Sequence, residues 1–205
     1  MSVIDALVSQ LESPASAKRR SAAKKLRKIG DHRAGPALLS ALEHELPDKR
    51  TWETQYQLIM ALGHCEYKEA IPLVHTLAHK SFEHSAVLAA VGDTYVRLSR
   101  SFEDDPKPLF DIFAIQNDDL LLDGALRAVA TLRLKFTEDC ASQVVEHVMA
   151  RKQEFLRFWV AAACPGWSGP IVEHFLDQCL LSEREDIKSA ALAAKQKKYL
   201  KWKPL

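Results

Sequence analysis

The chain has 205 residues, 47% of them hydrophobic, and a formal net charge of +1. That is enough apolar material for one continuous core, and no apolar run reaches the roughly 18 residues that a membrane-spanning helix needs. Seven glycines and nine prolines sit mostly at expected turns, no long Gly/Ser linker divides the chain, and strand signals are nearly absent.

Residues 3–11 read as a short amphipathic helix that stops near Ser13 and Pro14 and caps the first repeat. From there the chain repeats itself. Pro36, Pro72 and Pro108 keep an interval of 36 residues, and Leu26, Leu62 and Leu98 keep the same interval. In the first unit Ala22, Ala23 and Leu26 precede a polar turn, then Ala34, Pro36 and a second apolar run. The second unit answers with Leu58, Ile59, Leu62, Ala70, Pro72 and Val74. Each half carries the i, i+3, i+4 spacing of an amphipathic helix, and the proline falls in the first turn of the second helix, where its missing N–H costs nothing. Each unit is therefore helix, turn, helix, and it buries its apolar face only by stacking on its neighbours.

After residue 116 the interval loosens. Ala128, Val129 and Leu132, followed by Val144 and Val145, read as a fourth unit. Residues 161–163, followed by Pro170, Ile171 and Val172, read as a fifth. Ser182 and Glu185 have the spacing of a capping box and are expected to open a last helix that runs to about Tyr199.

This pattern resembles the HEAT repeat, in particular the short bacterial kind named after phycobilisome lyases. The residues that carry the likeness are the Arg-x-x-Ala-Ala-x-x-Leu stretch from Arg19 to Leu26, the Ile29, Gly30, Asp31 turn, and the Ala-x-Pro openings at Ala34 and Ala70. The resemblance implies an all-α, right-handed α-solenoid of about five HEAT-like helix pairs. The pairs are expected near residues 14–45, 50–80, 84–116, 119–151 and 154–181, with capping helices at 3–12 and 183–199, and residues 1–205 are expected to form a single domain. It also implies that the second helices form the concave face. Phycobilin attachment does not carry over, because the likeness covers only a repeat consensus that many unrelated proteins share.

Charge is distributed unevenly. Residues 1–50 hold ten basic against six acidic side chains, residues 51–150 eight against fifteen, and residues 151–205 ten against six. In a solenoid this gives a basic end, an acidic middle and a basic end, a layout that acts on association and partner choice more than on stability. The basic run of Lys18, Arg19, Arg20, Lys24, Lys25, Arg27, Lys28 and Arg33 is expected to be mainly a solvated helix face. Gripping phosphates, as HEAT-like alkylpurine DNA glycosylases do, is the alternative. In the acidic middle, Asp118, Asp119 and Asp123 precede or open a helix, where capping and the helix dipole favour carboxylates. A role in attracting a basic partner stands beside capping.

His75 and His79 lie i, i+4 with His84 shortly after, but the Glu of a HExxH zinc site is missing, so they are expected to line an interaction surface. The 36-residue register sets Ser40 with Thr76 and Ile112, Glu43 with His79 and Ile115, and His44 with Lys80 and Gln116, and it sets Leu39 with His75 and Asp111. Leu38, Leu42, Val74 and Phe110 are the core candidates. Trp167, in a turn, and Trp202, in the tail, are candidate interface anchors, whereas Trp159 beside Phe155 and Phe158 reads as core. The four cysteines lack CxxC spacing and are expected as buried free thiols.

No G-x-S-x-G elbow, phosphate-binding glycine loop or Cys/His pairing is present, so no catalytic residue, cofactor or metal is assigned. The expected function is a non-catalytic scaffold or adaptor that binds a protein partner, one carrying a basic segment, along its curved surface through Glu43, His75, His79, Lys80, Asp111, Asp118, Asp119 and Trp167. The alternatives are a nucleic-acid-binding relative of the alkylpurine glycosylases and, behind it, a chromophore or cofactor lyase subunit. With no secretory signal pattern at the N-terminus, the expected compartment is the cytoplasm.

Overall fold

The computed structural model describes residues 2–115 and 119–201. Among them are twelve α-helices and no strand, an all-α fold of the α-solenoid class. Helix α1 spans Val3–Leu11. Helices α2 (Ser16–Ile29) and α3 (Gly35–Glu45) form the first pair, and α4 (Trp52–His64) and α5 (Ile71–Ala78) the second. Next come α6 (Ser85–Ser99), α7 (Lys107–Ala114), α8 (Asp119–Leu132) and α9 (Glu138–Met149). The series ends with α10 (Phe155–Ala163), α11 (Pro170–Leu180) and α12 (Glu185–Lys195).

Local chemistry sets these boundaries. Helix α1 opens on a capping box, in which Asp5 N–H donates to Ser2 Oγ and Ser2 N–H donates to Asp5 Oδ2. Helix α2 stops at Gly30, whose φ of +68° lies in the left-handed region that glycine enters without steric cost. Asp31 and Asp48 then accept from the N–H groups of Arg33 and Arg50 and start short 3₁₀ turns. Pro36, Pro72 and Pro170 each fall in the first turn of a helix, as the repeat spacing requires.

The chain packs as two compact units. Unit one holds residues 1–99 and 114–125, and unit two holds residues 100–113 and 126–205. In unit one the first helices α2, α4 and α6 lie directly side by side, while α3 packs on α4 and α5 on α6. Leu26, Leu58, Leu62, Leu77 and Leu98 fill the space between these layers and are fully buried. Glycine permits the closest approach. A Cβ on Gly92 would lie 2.0 Å from the carbonyl oxygen of Leu121, and one on Gly124 would lie 1.8 Å from that of Ala89.

A buried polar latch ties the N-terminal loop to this stack. Glu45, 1% exposed, accepts from Arg19 Nε at 2.7 Å and from Ser16 Oγ at 2.6 Å, and Arg19 Nη2 lies 2.6 Å from its Oε2. Arg19 Nη1 also donates to the carbonyl oxygens of Ser13 and Pro14, and Ser16 Oγ shares a hydrogen bond with Thr54 Oγ1.

In unit two, α10 and α11 both pack on α12, and α9 packs on both of them. Trp167 is the largest side chain in this core. It is 2% exposed, its ring stacks on Phe136 with centroids 5.3 Å apart, and its Nε1 donates to Leu134 O at 2.8 Å.

Four expectations change. The Ser182–Glu185 box does not form, because α12 begins at Glu185 itself, too late for Glu185 to be the third helical residue. Ser182 Oγ instead donates to Glu154 and accepts from Arg184 N–H. The last helix ends at Lys195 rather than near Tyr199, since Lys197 turns left-handed at φ +55°. Tyr199 then folds back with its hydroxyl against Gly166 and its ring under Arg133. In α7 it is Leu109 and Ile112 that are buried, while Phe110 is half-exposed, so the register that set Ile112 on the surface slips in the third pair. Trp159 is likewise only half-buried.

Candidate functional site

The second helices of unit one expose a row of polar side chains. On α3, Ser40, Glu43 and His44 point to solvent, as do His75 and Thr76 on α5 and His79 and Lys80 just after its end. The reason is helical phase. Leu38, Ala41 and Leu42 on α3, and Val74, Leu77 and Ala78 on α5, take the core side, which leaves the intervening positions outside. The rings of His75 and His79 sit 5.1 Å apart, and His75 reaches toward the buried Tyr95 ring at 6.2 Å. His84 does not join them in a ligand set. Its ring stacks on Trp52 at 4.7 Å and 22°, beside the Lys49–Glu83 ion pair. Lys80 borders a small cleft of about 150 Å³ next to this stack. Among the described residues no three His, Cys, Asp or Glu side chains come together as a metal set.

The other expected site residues fall elsewhere. Asp111 is in unit two, half-buried and paired with Lys107 Nζ at 2.6 Å one helical turn away. Asp119 is the first residue of α8. Asp118 and Trp202 lie outside the described residues. Trp167 was expected as an interface anchor, and the structure corrects this: its indole is buried, with its N–H spent on Leu134 O. The acids of the loop before α7 satisfy backbone. Asp105 accepts from Ser101 and Lys107 N–H groups, and Asp104 from that of Lys135.

The arginines of the basic run are largely neutralised within the chain, whereas its lysines are not. Arg19 pairs with Glu45, Arg20 with Glu53 and Arg33 with Asp31, while Arg27 is only 3% exposed. The Arg33 guanidinium and the Arg33 N–H hold the Asp31 carboxyl down to about 2. Lys18, Lys24, Lys25 and Lys28 are left on the solvent side of α2.

A second surface feature carried no sequence signal. Between α1 and α3 runs an open cleft of about 590 Å³, floored by Val8, Leu11, Pro14, Ala37 and Ala41 and rimmed by Glu12, Ser40 and His44. It exists because α1 is a single helix with no second helix of its own, so nothing fills the space beside α3.

Residues 18–44 match the family model described as PBS lyase HEAT-like repeat, and they cover most of α2 and nearly all of α3. The chain carries a HEAT-like repeat of this kind. No curated protein matches it. Among solved structures, the chain is similar to an engineered protein determined by the Northeast Structural Genomics Consortium. The two are 15% identical with a TM-score of 0.54, over 96% of this chain and 98% of the other. A second engineered protein from the same consortium is also 15% identical, with a TM-score of 0.46, over 98% of this chain and 100% of its own length. The first likeness shows a shared fold and nothing of function.

Proposed function

We propose that this HEAT-like chain is a non-catalytic scaffold that binds a partner protein along the second-helix row of unit one. The observation that carries the reading is that row itself. Glu43 and His75 are exposed on helices whose opposite faces are locked into a buried apolar core, and His79 and Lys80 are exposed just past the end of α5. Mixed acid, base and imidazole on a rigid backbone is the composition of a protein-recognition rim, and a phosphate-tracking groove would call for continuous positive charge. The internal pairing of Arg19, Arg20 and Arg33 weighs against the nucleic-acid reading for the same reason.

Two variants test it. Immobilised full-length chain is used to capture partners from extracts of its native host, in parallel with Glu43→Lys and Lys80→Glu. The expected result is one or more partners lost from both variants, each of which keeps wild-type helicity by circular dichroism. Capture that is undiminished in both variants, or a salt-sensitive shift of duplex DNA at low ionic strength as the sole interaction, would refute the reading.

A further inference from the structure

We propose that the cleft between α1 and α3 is the seat of a basic amphipathic helix belonging to the partner protein, an inference that rests on the protein-binding reading above. The cleft volume of about 590 Å³ falls in the range of roughly 300–1,000 Å³ typical of ligand-holding clefts. Its floor is apolar, made by Val8, Leu11, Pro14, Ala37 and Ala41, so its occupant presents apolar side chains. The wall contributed by α3 carries Ala37, Ser40 and Ala41 at i, i+3 and i+4, small enough for another helix to approach along their ridge. Walls formed by two helices suit a helix laid between them, the helix-in-groove mode of recognition.

Charge decides the sign of the occupant. Arg19 and His44 are the basic residues lining the cleft, and the Arg19 charge is cancelled by Glu45 at 2.6 Å, with Nη1 turned to the carbonyls of Ser13 and Pro14. Glu12, the carboxylate that lines the cleft, has no side-chain partner among the described residues. The cleft is therefore an apolar floor with one uncompensated carboxylate, Glu12, on its edge. A lysine or arginine placed next to the apolar stripe of an incoming helix meets that carboxylate, whereas an acidic residue there is repelled.

The test uses the full chain and two fluorescein-labelled model helices of identical pattern, one built from Leu and Lys and the other from Leu and Glu, followed by fluorescence anisotropy. Saturable binding of the Leu/Lys helix is expected, with the Leu/Glu helix at least about tenfold weaker. Ser40→Trp, which fills the cleft from an exposed position, is expected to weaken Leu/Lys binding by about tenfold or more at unchanged thermal stability. Glu12→Lys is expected to weaken it several-fold, with a loss of salt dependence. No binding of the Leu/Lys helix, equal binding of the two helices, or indifference to Ser40→Trp overturns the proposal.

The proposal and the reading beneath it fail differently. A native partner lost from Lys80→Glu but retained by Ser40→Trp overturns the cleft assignment and leaves the scaffold reading standing. Leu/Lys binding that Ser40→Trp abolishes supports the cleft even if the host extract yields no partner, an outcome that counts against the scaffold reading alone.

Discussion

Replacing Arg19 by Met probes the buried latch. Glu45 is 1% exposed and its carboxylate is held by two contacts from the Arg19 guanidinium and one from Ser16 Oγ. Methionine keeps most of the volume of the Arg19 stem but withdraws both guanidinium contacts, leaving a buried carboxylate with a single hydroxyl. Breaking one partner out of a buried pair costs about 3–5 kcal/mol. The hydroxyl that remains places the expected loss at the low end, about 3 kcal/mol, which in a chain of this size corresponds to a fall in Tm of about 6–12 °C. Glu45→Leu is expected to cost less, about 2 kcal/mol, because Arg19, at 11% exposure, keeps its two carbonyl acceptors and can move its head toward water. The double variant Arg19→Met/Glu45→Leu removes both charges, so it is expected to lie within about 1 kcal/mol of wild type. Urea unfolding followed by far-ultraviolet circular dichroism gives the three values, and the cycle should return a coupling of several kcal/mol. An Arg19→Met cost below about 1 kcal/mol, or a double variant that simply adds the two single losses, would refute the idea that the buried charge depends on this pair.

Gly92→Ala and Gly124→Ala should each destabilise the fold by about 2 kcal/mol or more in the same assay, although alanine ordinarily favours a helix, because the new Cβ would press on Leu121 O or Ala89 O. Loss-free alanines at both sites would mean that α6 and α8 do not approach as described. Thiol titration of the native chain with Ellman's reagent should find Cys140 reacting fast and Cys65, Cys164 and Cys179, all buried, reacting only on unfolding. Burial pushes Cys65 up to about 11 and Cys179 to about 12 from an ordinary value of 9.0, so the unfolded chain releases these protons first. Stability should therefore decline as pH rises above about 9, and a Cys65→Ala/Cys179→Ala variant should decline less. Asp31, held down to about 2 by Arg33, contributes in the opposite direction. Its stabilisation is complete above its ordinary 3.8 and fades as pH falls toward 2, which carboxyl-carbon NMR titration of Asp31 checks directly.

The repeat was legible because its cause is periodic. A proline can sit only in the first turn of a helix and leucines must recur on one face, so Pro36, Pro72, Leu26 and Leu62 mark both helix boundaries and core sides. The register slipped where that periodicity carried no unique phase. In α7, Pro108 is still in place, yet Leu109, Phe110, Ile112 and Phe113 offer two possible apolar stripes, and the packing chose the one containing Leu109 and Ile112. Trp167 was misassigned because a turn residue carries no phase at all. Its burial depends on Leu134 and Phe136, some thirty residues earlier, with which it shares no local pattern. The α1–α3 cleft was invisible for a related reason. Each lining residue looks like ordinary helix surface or helix core, and the gap arises only from stacking a lone helix beside a pair.

The glycines show that some of this hidden geometry does leave a trace. Gly63, Gly92 and Gly124 lie inside three successive first helices, where glycine costs about 1 kcal/mol relative to alanine. A repeated local cost of that kind implies a non-local gain. Here the gain is backbone-to-backbone contact between first helices, close enough that even a methyl group is excluded at Gly92 and Gly124. The first-helix layer is thereby committed to holding the stack together. The second helices are free of that duty, and the exposed, mixed side chains of Glu43, His75, His79 and Lys80 sit on them or just past the end of α5. Division of labour between a glycine-closed layer and a solvent-facing layer is the physical reason to look for recognition on α3 and α5.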